Sequence, residues 1–417
     1  MVNGEHRGLL ETTTAPAATP RRIAAVDALR GFALFGIVVV NIAYLASGYR
    51  MAGLAEPAFS TPLDWEVRWI VTIFFENKFY LLFSFLFGYS LTLQIDSAAT
   101  ARAAFVPRFL RRLTGLLLLG LAHAVLLFPG DILTTYAMVG LVLLAVRRIA
   151  PRTAVRAAVA LTAMLAAGLG LLAVAALLGA DASGTVAGGA AEAARSDMAL
   201  HGSPLMIISE HLHKLGRIVV LRVLFQGPAV LAACLVGLAV GRKRTLADLP
   251  AHTAALRRIR RVGFPVGLCG ALLYAHSTWC GGGSAYHMLG QAVDLLTAPL
   301  LAAAYGATLL LALPSAPRLT AVLVPPGRMA LTNYLGQSLI CALIFTGYGL
   351  GLVDRLSPLA LVGIAVAIFA LQAAYSRLWL RRHRYGPVEW LLRWFTNGRA
   401  PSRAGRARSR RRRARST

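Results

Sequence analysis

Residues 21–46 read RRIAAVDALRGFALFGIVVVNIAYLA, and this stretch decides the fold class. Two arginines and an Asp-x-x-Arg-Gly corner precede a run that is apolar from Phe32 to Val40 and stops at Asn41. A helix needs roughly 20 apolar residues to cross the hydrocarbon core of a bilayer, and this stretch meets that length. Asp27 and Arg30 stand three residues apart, close enough to pair on a helix. Arg30 and Asn41 share a face, separated by about 16 Å along the axis. One face of the first helix is therefore polar from its mouth to past mid-membrane. Hydrocarbon makes that costly unless the groups pair or reach headgroups. Two readings stay open. Either Asp27 and Arg30 mark the interface and Asn41 bonds a neighbouring helix, or the three belong to a site.

Working outward, the rest of the chain obeys the same rule. Of 417 residues, 57% are apolar and 14% charged, against about 25% charged in soluble domains. Apolar runs predict ten membrane helices, at 28–48, 69–94, 108–128, 132–149, 155–179, 217–240, 262–276, 288–313, 328–350 and 357–380. The expected fold is all-α and polytopic, with one membrane domain over 21–398. A disordered leader is expected at 1–20 and an Arg-rich tail at 399–417. The first apolar run lacks a small-x-small exit, so it is expected to stay as an anchor. Cys234, Cys269, Cys280 and Cys341 follow no metal-ligand spacing, and neither a disulfide nor a metal is expected.

The net charge of +26 raises nucleic acid as a partner, and its distribution answers. Of the 43 Lys and Arg, 35 fall in 1–30, 95–114, 147–157, 241–261, 314–328 and 377–417, the alternate connections. By the positive-inside rule both termini are cytoplasmic, in the cell (inner or plasma) membrane. The last twenty residues hold nine arginines and no acid. Such a run attracts anionic lipid at about 1 kcal/mol per basic residue. It lacks the aromatics on which bases stack, which argues against nucleic acid. Before it, GPVEWLLRWFTNG reads as a short helix lying on the inner leaflet.

Polar groups inside the spans are the candidate site residues. Glu76 and Lys78 stand two apart and point to different sides of a continuous helix, each needing a partner elsewhere. His123 lies in GLAHAVLLFPG, where an imidazole is either a bonded core residue or a group that trades protons near neutral pH. Asp131 after Pro129-Gly130 reads as a helix N-cap. His287, Gln291 and Asp294 fall on one face, and an Asp two turns into a membrane helix implies a partner or a polar cavity. Asn333 and Gln337 share a face, with Arg328 at the inner mouth, and read as interhelical glue or as site groups.

The run R-I-x-x-V-D-A-L-R-G-F-A-L-F-G-I-V-V-V-N resembles the start of the YeiB-like family of bacterial multi-pass membrane proteins. FFENKFYLLFSFLFGYSL (74–91), PGDILTTYAMVGLVLL (129–144), GRMALTNYLGQSLI (327–340) and YGPVEWLLRWFTNG (385–398) carry the same resemblance. More distantly, the first helix is similar to that of heparan-alpha-glucosaminide N-acetyltransferase and of the third acyltransferase family. That similarity implies acyl transfer from a cytoplasmic acyl-CoA, its phosphates met by Arg22, Arg30, Arg111 and Arg112, to a small-molecule or glycan acceptor at the outer face. In the third acyltransferase family a functional His follows the equivalent of Arg30 by eleven residues, and here that place is Asn41. An amide is no general base, so the base falls to His123, His287 or a carboxylate such as Asp294, with Asn41 left to orient or stabilise an oxyanion. Asp27, Arg30, Lys78, Asn333 and Gln337 would then line the substrate. The same polar groups fit a second reading, passage of a small solute through a cavity lined by Asn41, His123, Asp294 and Asn333. A third is a membrane scaffold that holds anionic lipid with its tail.

The charge asymmetry predicts that reporters fused after Ala190 and Gly282 read out on the outer side and one fused after Leu246 on the inner side. An inner signal at Ala190 overturns the ten-helix scheme.

Overall fold

The computed structural model describes residues 24–398 apart from 52–53, 179–182 and 282. The expected leader, the Arg-rich tail and Arg22 lie outside the described residues. All regular structure among the described residues is helical. The chain runs α1 (Ala24–Leu45), α2 (Gly48–Met51), α3 (Pro62–Phe74), α4 (Lys78–Thr100), α5 (Phe105–Leu126), α6 (Leu133–Ala145), α7 (Pro151–Leu177) and α8 (Ser183–His201). It continues with α9 (Pro204–Leu221), α10 (Gly227–Arg242), α11 (Thr253–Trp279), α12 (Gly283–Ala312), α13 (Pro317–Arg328), α14 (Ala330–Phe345), α15 (Pro358–Arg382) and α16 (Pro387–Asn397). Among the described residues seven spans are long and apolar enough to cross a bilayer, and α6 and α14 are shorter apolar helices beside them. With α11, whose first turns carry Arg257, Arg258, Arg260 and Arg261, these make an all-α polytopic membrane protein.

Local chemistry starts and stops these helices where it should. Thr61 and Asp64 form a reciprocal capping box at α3, with Pro62 in the first turn. Ser357 caps α15 in the same manner by accepting from the Ala360 N–H. Pro151 and Pro387 open α7 and α16, and Gly398 closes α16 in the left-handed conformation that suits glycine.

Three elements differ from the sequence expectation. The expected span at 69–94 is a 39-residue stretch broken at residues 75–77 into α3 and α4, with Asn77 left-handed (φ 64°). The outer connection at 180–214 is the helix pair α8 and α9, because its alanines and its amphipathic SEHLHKLGR segment favour helix. The span expected at 217–240 is the end of a longer rod: α9 runs into α10 through a π-turn, Arg222–Gln226. The other expected spans correspond to α1, α5, α6, α7, α11, α12, α14 and α15 with shifted ends.

α1 lies at the centre, with buried residues all round it, and α13, α14, α15 and α4 pack against it. α7 stands at the rim with little of its surface covered. Lipid tails are as apolar as leucine, so membrane helices associate through close backbone approach at small residues. Two crossings here are built that way and are reciprocal. A Cβ on Gly88 of α4 would fall within contact distance of the Cys234 carbonyl of α10, and one on Gly237 of α10 would strike the Phe85 carbonyl of α4. Likewise Gly31 of α1 lies against the Leu323 carbonyl of α13, and Gly327 of α13 against the Asp27 carbonyl of α1.

At the basic face, α16 lies along the bundle end. Leu392 is buried while Leu391, Trp394 and Phe395 stay exposed, as an interfacial helix requires. Its Glu389 carboxylate accepts from the N–H groups of Leu331 (2.7 Å) and Thr332 (3.0 Å) and from the Thr332 hydroxyl (2.5 Å), capping α14 from outside its own chain segment.

Gly237→Leu forces a side chain into backbone that has no room to move, and is expected to destabilise by about 3 kcal/mol or more. Gly168→Leu, whose Cβ meets nothing within 4 Å, is the tolerated control. Size-exclusion profiles of the two variants in mild detergent check this: only Gly237→Leu should lose the monodisperse peak.

Candidate functional site

The break between α3 and α4 creates the first polar centre. Helix ends leave backbone carbonyls without partners, and inside a membrane these must be satisfied by protein. Lys78, fully buried, does so by donating its Nζ to the Thr72 carbonyl at 3.1 Å. The same ammonium lies 3.5 Å from Asp294 Oδ1 on α12, while Asn77 Nδ2 donates to Asp294 Oδ2 at 2.8 Å. Glu76 turns the other way and pairs with Arg50 of α2, with the Tyr274 hydroxyl of α11 at 3.5 Å. Arg50 in turn lies over the rings of Tyr44 (5.1 Å) and Trp279 (4.8 Å). The helix break thus sends Glu76 to a cationic partner and Lys78 to an anionic one, each on a different element.

Beside this centre lies a cleft with a cavity of about 80 Å³, walled by Arg50, Glu56, Arg68, Glu76, Trp279 and Asp354 among others. Two of its wall residues, Glu56 and Asp354, meet Asp197 of α8, three carboxylates from separate segments whose oxygens lie within 4.8 Å of one another. Among the described residues this is the one group with the spacing of metal ligands. Ser47 donates to Glu56 at 2.8 Å and the Gly48 N–H donates to Asp197 at 2.6 Å. Burial, followed by the adjoining Glu56 and Asp197 carboxyls, pushes the Asp354 carboxyl up to about 9. Burial also raises the Asp197 carboxyl. These acids share protons.

A second centre joins two residues that neither spacing nor motif pairs in advance. His123 of α5, buried, holds Asp131 through Nδ1 at 2.9 Å. Asp131 Oδ2 accepts from the N–H (2.7 Å) and hydroxyl (2.9 Å) of Thr134, so it is the expected N-cap of α6 and a histidine partner at once. With Nδ1–H donating to the carboxylate, Nε2 carries the lone pair; it is buried and has no hydrogen-bond partner. The Tyr334 ring of α14 lies 5.2 Å away, and its hydroxyl is likewise buried without a partner. Gly120 leaves the room: a Cβ there would crowd Asp131 and Thr134. Arg222, aimed by the π-turn, donates to Gln226 at 3.0 Å, lies beside Gly130, and is within electrostatic reach of Tyr44, Tyr80 and Tyr334. π-turns inside helices mark functional positions more often than chance.

The third centre is at the basic face. Arg30 donates to Asp27 at 2.9 Å and to Ser90 of α4 at 2.5 Å, so the corner that opens the sequence is an ion pair bonded across to a neighbour. Arg112 sits near Arg30, Arg393 and Glu389, and its Nε is buried without a partner. Arg111, the adjacent residue on the same helix, is exposed beside Gly398 at the end of α16.

The expected site residues therefore fall into separate places. His287 adjoins the first centre, its ring 6.0 Å from Tyr274. Asn41 is half-buried on α1, one turn before Tyr44. Asn333 donates to the Pro326 carbonyl (3.2 Å) and Ser376 (2.9 Å), and Gln337 donates to Gln372 at 3.0 Å, so both tie α14 to its neighbours. Arg50, Glu56, Arg222 and Tyr334 were not singled out from sequence. Arg50 and Arg222 had a usable signal, since both belong to the 8 basic residues that fall outside the basic connections.

The family described as a protein of unknown function (DUF418) matches residues 240–399. The uncharacterised protein YxaH of Bacillus subtilis (strain 168) is 33% identical over 401 residues, covering 91% of this chain and 95% of that one. The uncharacterised protein YeiB of Escherichia coli (strain K12) is 32% identical over 394 residues, covering 89% and 95%. No solved structure matches.

The acid cluster makes stability depend on pH with a definite sign. The Asp354 carboxyl stands near 9 in the folded chain against 3.8 unperturbed. The folded state therefore holds more protons than the unfolded one between those values, and stability falls as pH rises through the window. Thermal melts between about pH 5 and pH 9 should show this decline in wild type and a flatter profile in Asp354→Asn.

Proposed function

We propose that this chain, which belongs to the YeiB-like family of multi-pass membrane proteins, is an acyltransferase of the cell (inner or plasma) membrane. One observation carries the reading: His123 is fixed by Asp131 with its Nε2 lone pair buried and unpartnered. A carboxylate on Nδ1 holds the tautomer in which Nε2 accepts a proton and stabilises the imidazolium that results. In the proposed step the acceptor's hydroxyl or amine attacks the thioester carbonyl of an acyl-CoA and gives its proton to His123 Nε2. The tetrahedral oxyanion then collapses, the C–S bond breaks, and the thiolate leaves and takes up that proton. Arg222 is the cation placed to stabilise the oxyanion, with Asn41 as an orienting donor on α1. At the basic face, Arg30 and the unpartnered Nε of Arg112 serve the donor's phosphates. The acceptor, a small molecule or glycan, enters by the cleft beside Arg50 and Glu56. The Arg-rich segment 399–417 adds attachment to anionic lipid.

A second reading, transport of a small solute, is favoured by a different observation. The span carrying Lys78 is discontinuous, and its break holds the buried pair Lys78–Asp294. Interrupted helices with charges at the break are how many transporters build their binding sites.

Labelled acyl-CoA and labelled candidate solutes, followed in the same proteoliposomes, separate the two. In the transferase, His123→Gln keeps donor binding but slows transfer roughly 100-fold or more, the usual worth of a general base. Undiminished transfer in that variant removes His123 from the chemistry. Solute uptake with a changed pH profile and no acyl consumption selects the transporter.

A further inference from the structure

A cavity that shares no lining residue with the three centres lies at the basic face. Its volume is about 630 Å³, and it opens between the end of α4, the start of α5, the turn after α6 and the end of α10. Arg147, Arg148, Arg242 and Arg244 line it, against a single carboxylate, Asp96. Arg242 is a structural member of the wall. Its guanidinium donates to the carbonyls of Arg147, Arg148 (3.4 Å) and Ile149 (2.5 Å), closing the C-terminal end of α6 and holding that turn against α10. Arg147 is anchored to the Leu144 carbonyl at 2.9 Å. Arg244, left-handed at φ 51°, meets Asp96 at 3.1 Å in an exposed pair that holds it only weakly. Arg148, in the turn after α6, and Arg244, just past α10, both line the cavity. Its other walls, Ile95, Ala104, Phe105, Val106 and Pro107, are apolar.

We infer that this cavity is a binding site for the phosphate end of an anionic amphiphile. Guanidinium groups fork onto phosphate oxygens, and an excess of three positive charges around one carboxylate favours a phosphate diester or polyphosphate over a neutral headgroup. The apolar walls, at the end of membrane helices, suit the first segments of an acyl chain, and basic pockets in this position bind anionic headgroups in other membrane proteins. Two sources present that chemistry, an anionic phospholipid of the inner leaflet and a soluble phosphate ester of the coenzyme A type. The site shares no residue with the His123–Asp131 centre or with the donor arginines Arg30 and Arg112, and it is read from what substitution of its own arginines does to binding, so a null result in those variants leaves the acyl-transfer reading standing.

The full chain in neutral detergent is titrated separately with phosphatidylglycerol and with free coenzyme A, and bound ligand is counted by native mass spectrometry. Wild type should saturate with one of them. Arg148→Ala/Arg244→Ala, which leaves the Arg242 contacts intact, should raise that apparent Kd roughly tenfold or more. Arg257→Ala/Arg258→Ala removes equal charge from the same face outside the cavity and should leave the Kd within about twofold. Phosphatidylglycerol binding that is weakened in Arg148→Ala/Arg244→Ala assigns the site to membrane lipid, and coenzyme A binding weakened in that variant assigns it to a soluble ester. Absence of saturation with either, or equal loss in the two double variants, overturns the inference.

Discussion

Lys78 and Asp294 face each other with both side chains shut off from solvent, and much of the architecture follows from keeping that pair intact. A lone ammonium or carboxylate at this depth costs several kcal/mol, and truncating one partner of a buried pair typically costs about 3–5 kcal/mol. The pair also solves a backbone problem. The span that carries Lys78 must break to send Glu76 toward Arg50, and Lys78 itself satisfies the Thr72 carbonyl that the break exposes. One ammonium thus closes a helix end, neutralises an acid on α12 and fixes the approach of α4 to its neighbours.

Around that centre the helices are held by shape more than by polarity. The reciprocal glycines of α4 with α10 and of α1 with α13 bring backbones together where side chains would keep them apart. The Asp27 backbone carbonyl lies against Gly327 while its carboxylate holds Arg30, so the corner that opens the sequence is both a packing contact and an ion pair. The polar bonds of Asn333, Gln337 and Gln372 do similar work between α14 and α15. Lys78, Asp294, His123 and Tyr334 sit on packed helices, while Glu76, Asn77 and Asp131 stand at the helix ends beside them, which suits groups whose geometry must hold in hydrocarbon.

The fold class was legible because hydrocarbon imposes one rule on every residue of a span, and mean composition reports it. The pairing of Asp27 with Arg30 was legible for a local reason, the i,i+3 spacing. The break at Asn77 was not, since FFENKFY contains neither proline nor glycine and its cause, the partners on α2 and α12, lies far along the chain. His123 and Asp131 were each visible, one as a proton carrier and one as a cap, while their contact depends on how α5 meets α6 across a tight turn. Arg222 is aimed by a π-turn, which leaves no mark in residue periodicity.

The cap that Glu389 places on α14 has a mechanical side. α16 lies along the end of the bundle with most of its apolar side chains exposed, and its Glu389 carboxylate grips the first N–H groups of a helix that runs into the bundle. Tyr334, the neighbour of His123, stands two residues beyond that grip. α16 is therefore a lever whose short arm ends at the wall of the histidine centre, joined to it through hydrogen bonds to the first turn of α14 rather than through a loop.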